Sequence, residues 1–189
     1  VFHQGTDTTV SLRGGTRLEL TSAEGQITVQ AWNRNAIRVE ADHDDDTRIQ
    51  IDQGGGTVSV RARARYGPSE VSWRLTVPAE MSLDLSSQSG DVRVSGTKGE
   101  VSVSTVEGTI RVEGGSGFVT LESVEGGIEL LSTAGRISAS TVAGGISIRG
   151  ASGDLKASAV DGDINLVDID SSNLEANTVD GNISFSGPI

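Results

Sequence analysis

Glycine returns every nine residues along the second half of this chain. The spacing holds from Gly90 to Gly162 without interruption, shifts by one residue at Ser172 and resumes at Gly181. The positions two and four residues after each glycine are mostly Val, Ile or Leu. Each unit therefore predicts a short strand with an apolar–polar–apolar pattern, bounded by a glycine turn. A fixed period of this kind is typical of a solenoid.

Alternate units differ at the position two residues before the glycine, which doubles the period to 18 residues. One set of units has valine there, and the other set has Thr, Gly or Ala. The valines, which we expect to fill an interior corner of each coil, are Val106, Val124, Val142, Val160 and Val179. The prediction is an all-β fold, a parallel β-solenoid (β-helix) with two strands in each coil. Parallel crossover connections favour a right-handed path.

Stacking of such coils aligns equivalent apolar residues in two interior ladders. One ladder consists of Ile110, Ile128, Ile146, Ile164 and Ile183, and the opposing one of Val119, Ile137, Leu155 and Leu174. Because one coil buries too few side chains to offset the entropy of ordering its backbone, stability must come from the contacts between neighbouring coils.

The first 89 residues follow a looser version of the same pattern. Apolar pairs such as Leu18/Leu20 and Ile27/Val29 recur, but at uneven steps, and the stretches 42–46 and 65–70 are predicted to form protruding turns. We predict a single β-solenoid domain over 1–189, with irregular coils and inserted loops in 1–89 and regular nine-residue repeats in 90–189. An antiparallel cap over residues 36–77 is the alternative.

The stretch "VPAEMSLDLSSQSGDVRVSGTKGEVSVSTVEGTIRV" at 77–112, preceded by "GQITVQAWNRNAIRVEA" at 25–41, resembles a known family. It is the bacterial family of β-strand-repeat proteins of unknown function that are described as adhesins. The shared features are Val-Pro before the repeats, the "SGDV" start and the recurring "TVxG" corners. The resemblance implies a parallel β-solenoid exported to the periplasm or the cell surface. It implies no catalytic residues, because none is established for the family.

The charge and composition restrict the partners of the chain. Its formal charge is −11, which disfavours binding to the phosphate backbone of nucleic acids. No run of 18 apolar residues occurs in the sequence, so no transmembrane segment is predicted. The absence of cysteine excludes disulfides and thiolate chemistry.

Carboxylates recur at one predicted corner of the stack and are the candidate metal ligands. They are Glu107, Glu125, Asp161, Asp163 and Asp180. We expect a solvated corner without a cofactor, with weak calcium binding as the alternative, since oxygen-rich clusters suit that ion. His43 lies within an acidic turn and is predicted to be a solvated turn residue. No catalytic residues are predicted.

The leading hypothesis is a non-enzymatic, exported β-solenoid that acts as a scaffold or adhesin-like module of the cell envelope, the cell surface or the extracellular space. An envelope or surface glycan is the candidate partner. The alternative is a structural subunit that assembles head to tail into filaments, because Ile183 and Phe185 point inward in a last half-coil that nothing covers. An enzyme that acts on polysaccharides is a more distant alternative.

Overall fold

A computed structural model describes residues 3–12 and 17–187, and these residues form strands and connecting turns. The first strands are β1 (His3–Ser11), β2 (Arg17–Glu24), β3 (Ile27–Trp32), β4 (Ala36–Asp44), β5 (Thr47–Gly54), β6 (Thr57–Ala64), β7 (Val71–Pro78), β8 (Ser82–Ser89) and β9 (Val92–Thr97). The later strands are β10 (Val101–Glu107), β11 (Ile110–Gly114), β12 (Phe118–Glu125), β13 (Ile128–Leu131), β14 (Ala134–Ala143), β15 (Ile146–Arg149), β16 (Ser152–Asp161), β17 (Ile164–Val167), β18 (Asp170–Asp180) and β19 (Ile183–Ser186).

The strands form two facing sheets. One has the order β1-β4-β7-β3-β9-β11-β13-β15-β17-β19, and the other has the order β18-β16-β14-β12-β10-β8-β2-β6-β5. From β8 onward, each coil contributes one strand to each sheet, and all pairings between successive coils are parallel. The predicted parallel β-solenoid is therefore confirmed.

The register shows the 18-residue coil directly. Ile110 pairs with Ile128 and Ile128 with Ile146, so equivalent residues of successive repeats lie side by side. The last coil is shifted by one residue, with Leu155 beside Leu174 and an irregularity between Ser152 and Asp154. This irregularity is the structural counterpart of the frame shift that the sequence has at residue 172.

The predicted interior ladders are buried between the sheets, except for their last members, Leu174 and Ile183, which are 43% and 47% exposed. Ile110, Ile146 and Ile164 have 0%, 1% and 0% of their surface exposed, and Val119 and Ile137 have 0% and 1%. The small residues of the second corner, including Thr97, Thr133 and Ala151, are buried as well. Aliphatic side chains that face each other along the whole stack thus provide most of the core.

Glycine is required at the corner that follows β10, β12, β14 and β16. Gly108 and Gly126 have φ values of 132° and 137°, which favour glycine over any other residue. A Cβ atom at Gly126 would overlap with the carbonyl oxygen of Gly108 in the coil before it. The recurrence of these glycines every 18 residues therefore follows from both the direction of the turn and the close approach of successive backbones.

The N-terminal coils are irregular in a way that the sequence pattern does not reveal. β2 lies between β6 and β8, and β3 lies between β7 and β9. The coil formed by β2 and β3 is therefore inserted between two coils, β6–β7 and β8–β9, that come later in the sequence. β1, β4 and β5 pair antiparallel with their neighbours. These antiparallel strands include part of the segment 36–77, for which an antiparallel cap was the alternative. The turn predicted at 42–46 is confined to residues 45–46, whereas residues 65–69 form a loop as predicted.

Candidate functional surface

A row of exposed valines follows one corner of the regular coils. Their exposed fractions are 47% for Val106, 43% for Val124, 48% for Val142, 47% for Val160 and 82% for Val179. These are the valines predicted to fill an interior corner, and that prediction is wrong. They occupy equivalent positions in five successive coils, so they form a continuous apolar line on the surface. We call it the valine row.

The alternation of the strands explains why the valines point outward. Val101 and Val103 are buried, so the next inward position in β10 is Thr105, and Val106 faces solvent. In register with Thr105 lie Ser87, Ser123, Thr141 and Ala159. The hydroxyls of Ser87 and Ser123 are buried without a hydrogen-bond partner among the described residues, whereas those of Thr105 and Thr141 reach backbone carbonyls. Thr105 donates to the carbonyl oxygen of Glu107 at 3.2 Å, and Thr141 donates to that of Gly126 at 3.1 Å.

Polar side chains flank the valine row on the strand side. Two residues before the valines lie Ser104, Glu122, Ser140, Ser158 and Asn177, of which all but the half-buried Ser158 are exposed. The apolar row and the polar row share one face of the sheet, because both lie at outward positions of the same strands. The surface is therefore amphipathic across its width and repetitive along its length.

The candidate metal ligands lie on the other side of the valine row, at the corner. Glu107 is beside Glu125, and Asp161 is beside Asp180, with Ala143 between the two pairs. Asp163 accepts hydrogen bonds from the backbone and side-chain nitrogens of Asn182, at 2.7 and 3.4 Å. Within residues 3–12 and 17–187, no three His, Cys, Asp or Glu side chains are grouped closely enough to hold a metal ion. The expectation of a solvated corner, with weak calcium binding as the alternative, stays a prediction.

His43 is buried in β4, with 4% of its surface exposed, and the prediction of a solvated turn residue is wrong. Its Nδ1 lies 2.8 Å from the carbonyl oxygen of Asp44, and its Nε2 lies 2.8 Å from Oγ1 of Thr6. Since a carbonyl oxygen only accepts, Nδ1 donates, and a neutral ring then accepts the Thr6 proton at Nε2. His43 thus joins β4 to the edge strand β1 and has a structural role.

Charged side chains form pairs between neighbouring coils on the outer surface. The pairs are Arg111 with Glu129 at 3.6 Å, Arg136 with Asp154 at 3.9 Å and Lys156 with Glu175 at 3.5 Å. All of these side chains are at least 41% exposed, so each pair contributes little to stability, on the order of 0–1 kcal/mol.

The ion pair between Arg38 and Asp7, outside the regular coils, shifts the pKa of Asp7. Arg38 donates two hydrogen bonds to the carboxylate of Asp7, at 3.1 and 2.8 Å. This contact lowers the pKa of Asp7 below its ordinary value, because the guanidinium favours the ionised carboxylate. It joins β1 to β4, as the hydrogen bond of His43 does.

The last coil exposes side chains that the inner coils bury. Leu174, Ile183 and Phe185 have 43%, 47% and 42% of their surface exposed. The equivalent residues one coil earlier, Leu155, Ile164 and Leu166, have 3%, 0% and 1%. An apolar floor is therefore open at this end of the stack. Pro188, which the sequence places after it, lies outside the described residues.

The C-terminal part of the chain matches a known family. Residues 81–188, more than half of the sequence, match the model of Toastrack DUF4097. The chain belongs to this family. The matched region of this Toastrack protein begins just before β8 and covers the coils that follow each other in chain order, so the family match and the regular part of the stack coincide.

Solved structures with the same fold cover almost the whole Toastrack chain. A "putative adhesin" from Bacteroides fragilis has a TM-score of 0.55 at 14% identity, with 98% of this chain and 97% of that chain covered. A "putative cell adhesion protein" from Clostridium sporogenes has a TM-score of 0.52 at 9% identity, with 99% and 100% covered. At such identities the likeness establishes the fold alone. No curated protein matches the sequence, and none of the described residues form a helix that could span a membrane.

Proposed function

We propose that this Toastrack protein is an exported, non-enzymatic module of the bacterial cell envelope or surface that acts as a scaffold or adhesin through contact with a glycan. The observation that carries the proposal is the valine row. Contiguous apolar surface that is exposed to solvent marks a contact site for a partner or ligand. Here five equivalent valines, spaced by about 4.8 Å from coil to coil, extend this apolar surface along the stack.

The chemistry beside the valine row suits a sugar polymer. Pyranose rings have apolar C–H faces and hydroxyl edges, so they match a surface on which an apolar line adjoins a polar one. Ser104, Ser140 and Asn177 are exposed and can exchange hydrogen bonds with sugar hydroxyls. The repeat of both rows favours a polymer with a repeat of its own, because each coil then offers the same contact.

The names of the similar structures support the same class of function. The proteins from Bacteroides fragilis and Clostridium sporogenes are both described as adhesion proteins. Adhesion requires a location outside the cytoplasm, which agrees with the proposed export.

Binding of the purified chain to a glycan array and to insoluble peptidoglycan, cellulose and chitin tests the proposal. We expect saturable binding to at least one of these probes, and we expect the double variant Val124→Lys/Val142→Lys to lose it by at least tenfold. Both valines are half-exposed, so the variant should keep the fold.

The matched control is Ser147→Lys/Asn165→Lys, which places the same two charges side by side on the opposite sheet. This control should bind like the unmodified chain. Absence of saturable binding to every probe would refute the glycan, and equal binding by the two double variants would refute the valine row as the contact surface.

A further inference from the structure

The valine row continues beyond Val106 with other side chains, because β8, β2 and β6 lie next in the same sheet. The outward residues at this position of the three strands are Gln88, Ala23 and Arg63. The polar row continues in the same way, through Ser86, Thr21 and Arg61. Both rows therefore lead from the regular coils to two arginines on β6.

These six residues are among those that line a groove of about 300 Å³, which we call the arginine groove. Its floor consists of the two small residues on the central strand, Thr21 and Ala23. The arginines of β6 form one wall, and the two polar residues of β8 form the other. The volume lies at the lower end of the range of small-molecule sites, so the groove has room for one small ligand group.

The two arginines are not used in ion pairs within the fold. Arg61 donates from Nε to Oγ of Ser59 at 3.3 Å, and its terminal nitrogens donate to no described residue. Arg63 is exposed and forms neither a hydrogen bond nor an ion pair through its side chain with a described residue. None of the described residues that line the groove is a carboxylate. Since guanidinium groups bind carboxylates and phosphates through paired hydrogen bonds, the groove suits an anionic group.

Carboxylates around the groove restrict which anions can bind there. The surrounding charged residues are Arg48, Arg65, Asp45, Asp46, Asp52, Glu24 and Glu70. Glu19 and Asp84, further along β2 and β8, lie 3.7 and 2.7 Å from Arg17. With the formal charge of −11, these carboxylates repel a ligand that is anionic along its whole length. A single anionic group can still bind, because its hydrogen bonds to the arginines are direct whereas salt screens the more distant charges.

We propose that the arginine groove binds the one anionic group, a carboxylate or a phosphate, on the terminal sugar of a mostly neutral glycan. The inference rests on the proposed function, because the neutral part of the same glycan would lie along the valine row. β6 and β10 are three strands apart, about 14 Å, so a short oligosaccharide reaches from the arginines to Val106. Ser86 and Gln88 can exchange hydrogen bonds with the hydroxyls of the terminal sugar. The glycan therefore binds in one direction, with its acidic end toward the N-terminal coils.

NMR titration of the isotope-labelled chain tests the inference. The sugar probes are glucose, glucuronic acid and glucose 6-phosphate, and acetate and inorganic phosphate are the anions without a sugar. At least one acidic sugar should shift the amide signals of Thr21, Ala23 and Gln88 saturably. Its Kd should be at least tenfold below those of glucose and of the sugar-free anions. The acidic sugar that binds more tightly identifies the group as a carboxylate or a phosphate.

Arg61→Gln/Arg63→Gln should abolish the preference for the acidic sugar over glucose. Both side chains are exposed, so this variant should keep the fold, which its amide spectrum verifies. The matched control is Arg93→Gln/Arg111→Gln, which removes two arginines that lie in register on the opposite sheet. It changes the net charge equally and should bind like the unmodified chain.

Three results would overturn the inference: no saturable shift at the groove, equal binding of the sugar-free anions, or equal behaviour of the two double variants. Its failure is distinguishable from that of the proposed function. Arg61→Gln/Arg63→Gln should still bind the neutral polymer that the unmodified chain binds, and Val124→Lys/Val142→Lys should still bind the acidic sugar. Binding of the acidic sugar without binding of any polymer would overturn the valine-row contact instead.

Discussion

Trp73 donates a hydrogen bond from its indole Nε1 to Oγ of Ser22, at 3.1 Å, and both side chains are buried. The two residues are 51 positions apart in the sequence. Trp73 lies in β7 and Ser22 in β2, so the bond joins the two sheets and two different coils of the N-terminal part.

Ser22→Ala should destabilise the chain by about 1–3 kcal/mol, because the buried indole N–H then lacks an acceptor. Urea unfolding followed by tryptophan fluorescence measures the loss. Ser86→Ala removes an exposed hydroxyl from β8 and should change the free energy of unfolding by less than about 0.5 kcal/mol. Equal effects of the two variants would contradict the role of this bond.

The interior ladders predict that introducing aspartate at two consecutive residues of β17 has very different effects on stability. Ile164 is fully buried and Asn165 is exposed. Ile164→Asp should unfold the chain or lower its stability by several kcal/mol, because the new carboxylate would be removed from water without a partner in the apolar core. Asn165→Asp, whose neighbours in register are Ser147 and Ser184, should melt within a few degrees of the unmodified chain. Thermal unfolding followed by circular dichroism compares them.

The corner glycines predict an equally selective response to alanine. Gly126→Ala should cost more than about 2 kcal/mol, because the residue has a positive φ and its new Cβ would overlap with the backbone of Gly108. Gly54 has open space around its Cβ position, so Gly54→Ala should have little effect. Chemical denaturation measures the free energy of unfolding of both variants. A loss in Gly126→Ala alone would show that the corner requires the glycine conformation, and equal values would show that it does not.

The pair of Asp7 and Arg38 predicts a pH-dependent contribution to stability. Since the pKa of Asp7 is lowered in the folded state, its contribution is present above the unfolded pKa and disappears as the pH falls through the folded value. Asp7→Asn should therefore melt below the unmodified chain at neutral pH and together with it in strong acid. In Arg38→Gln, an NMR titration should show the pKa of Asp7 raised toward its ordinary value.

The acidic corner predicts little response to calcium. Millimolar calcium should move the melting temperature no further than a salt of matched ionic strength does, because Asp161 and Asp180 are exposed. Differential scanning calorimetry with and without the ion measures this. A saturable shift that Asp161→Asn/Asp180→Asn abolishes would instead establish a binding site.

The sequence allowed the regular coils to be predicted because one repeat determines all the others. Once Ile110 and Ile128 are assigned to the interior, the spacing assigns Ile146 and Ile164 without further information, and each is buried. The prediction failed at Val106, where an apolar residue was taken as an inward one. The alternation from Val101 and Val103 already placed Thr105 inward, and its hydroxyl is tolerated there because it donates to the carbonyl oxygen of Glu107.

The order of the N-terminal strands could not be predicted from the sequence. Alternating pairs such as Ile37/Val39 and Val58/Val60 have the same pattern whether the strand pairs parallel or antiparallel, because both arrangements bury every second residue. The choice depends on contacts between residues far apart in the chain, such as Trp73 and Ser22. His43 was misjudged for a similar reason, since its acidic neighbours suggested a turn while its partner Thr6 lies in another strand.

The insertion of the β2–β3 coil between β6–β7 and β8–β9 has a consequence for the order in which the chain folds. Both sides of that coil are covered only after residues up to 97 have emerged, so the start of the molecule must close through contacts of high sequence separation. Every coil after β9 needs only the coil before it. We therefore expect slow, cooperative closure of the N-terminal part, followed by rapid addition of coils in the order of synthesis.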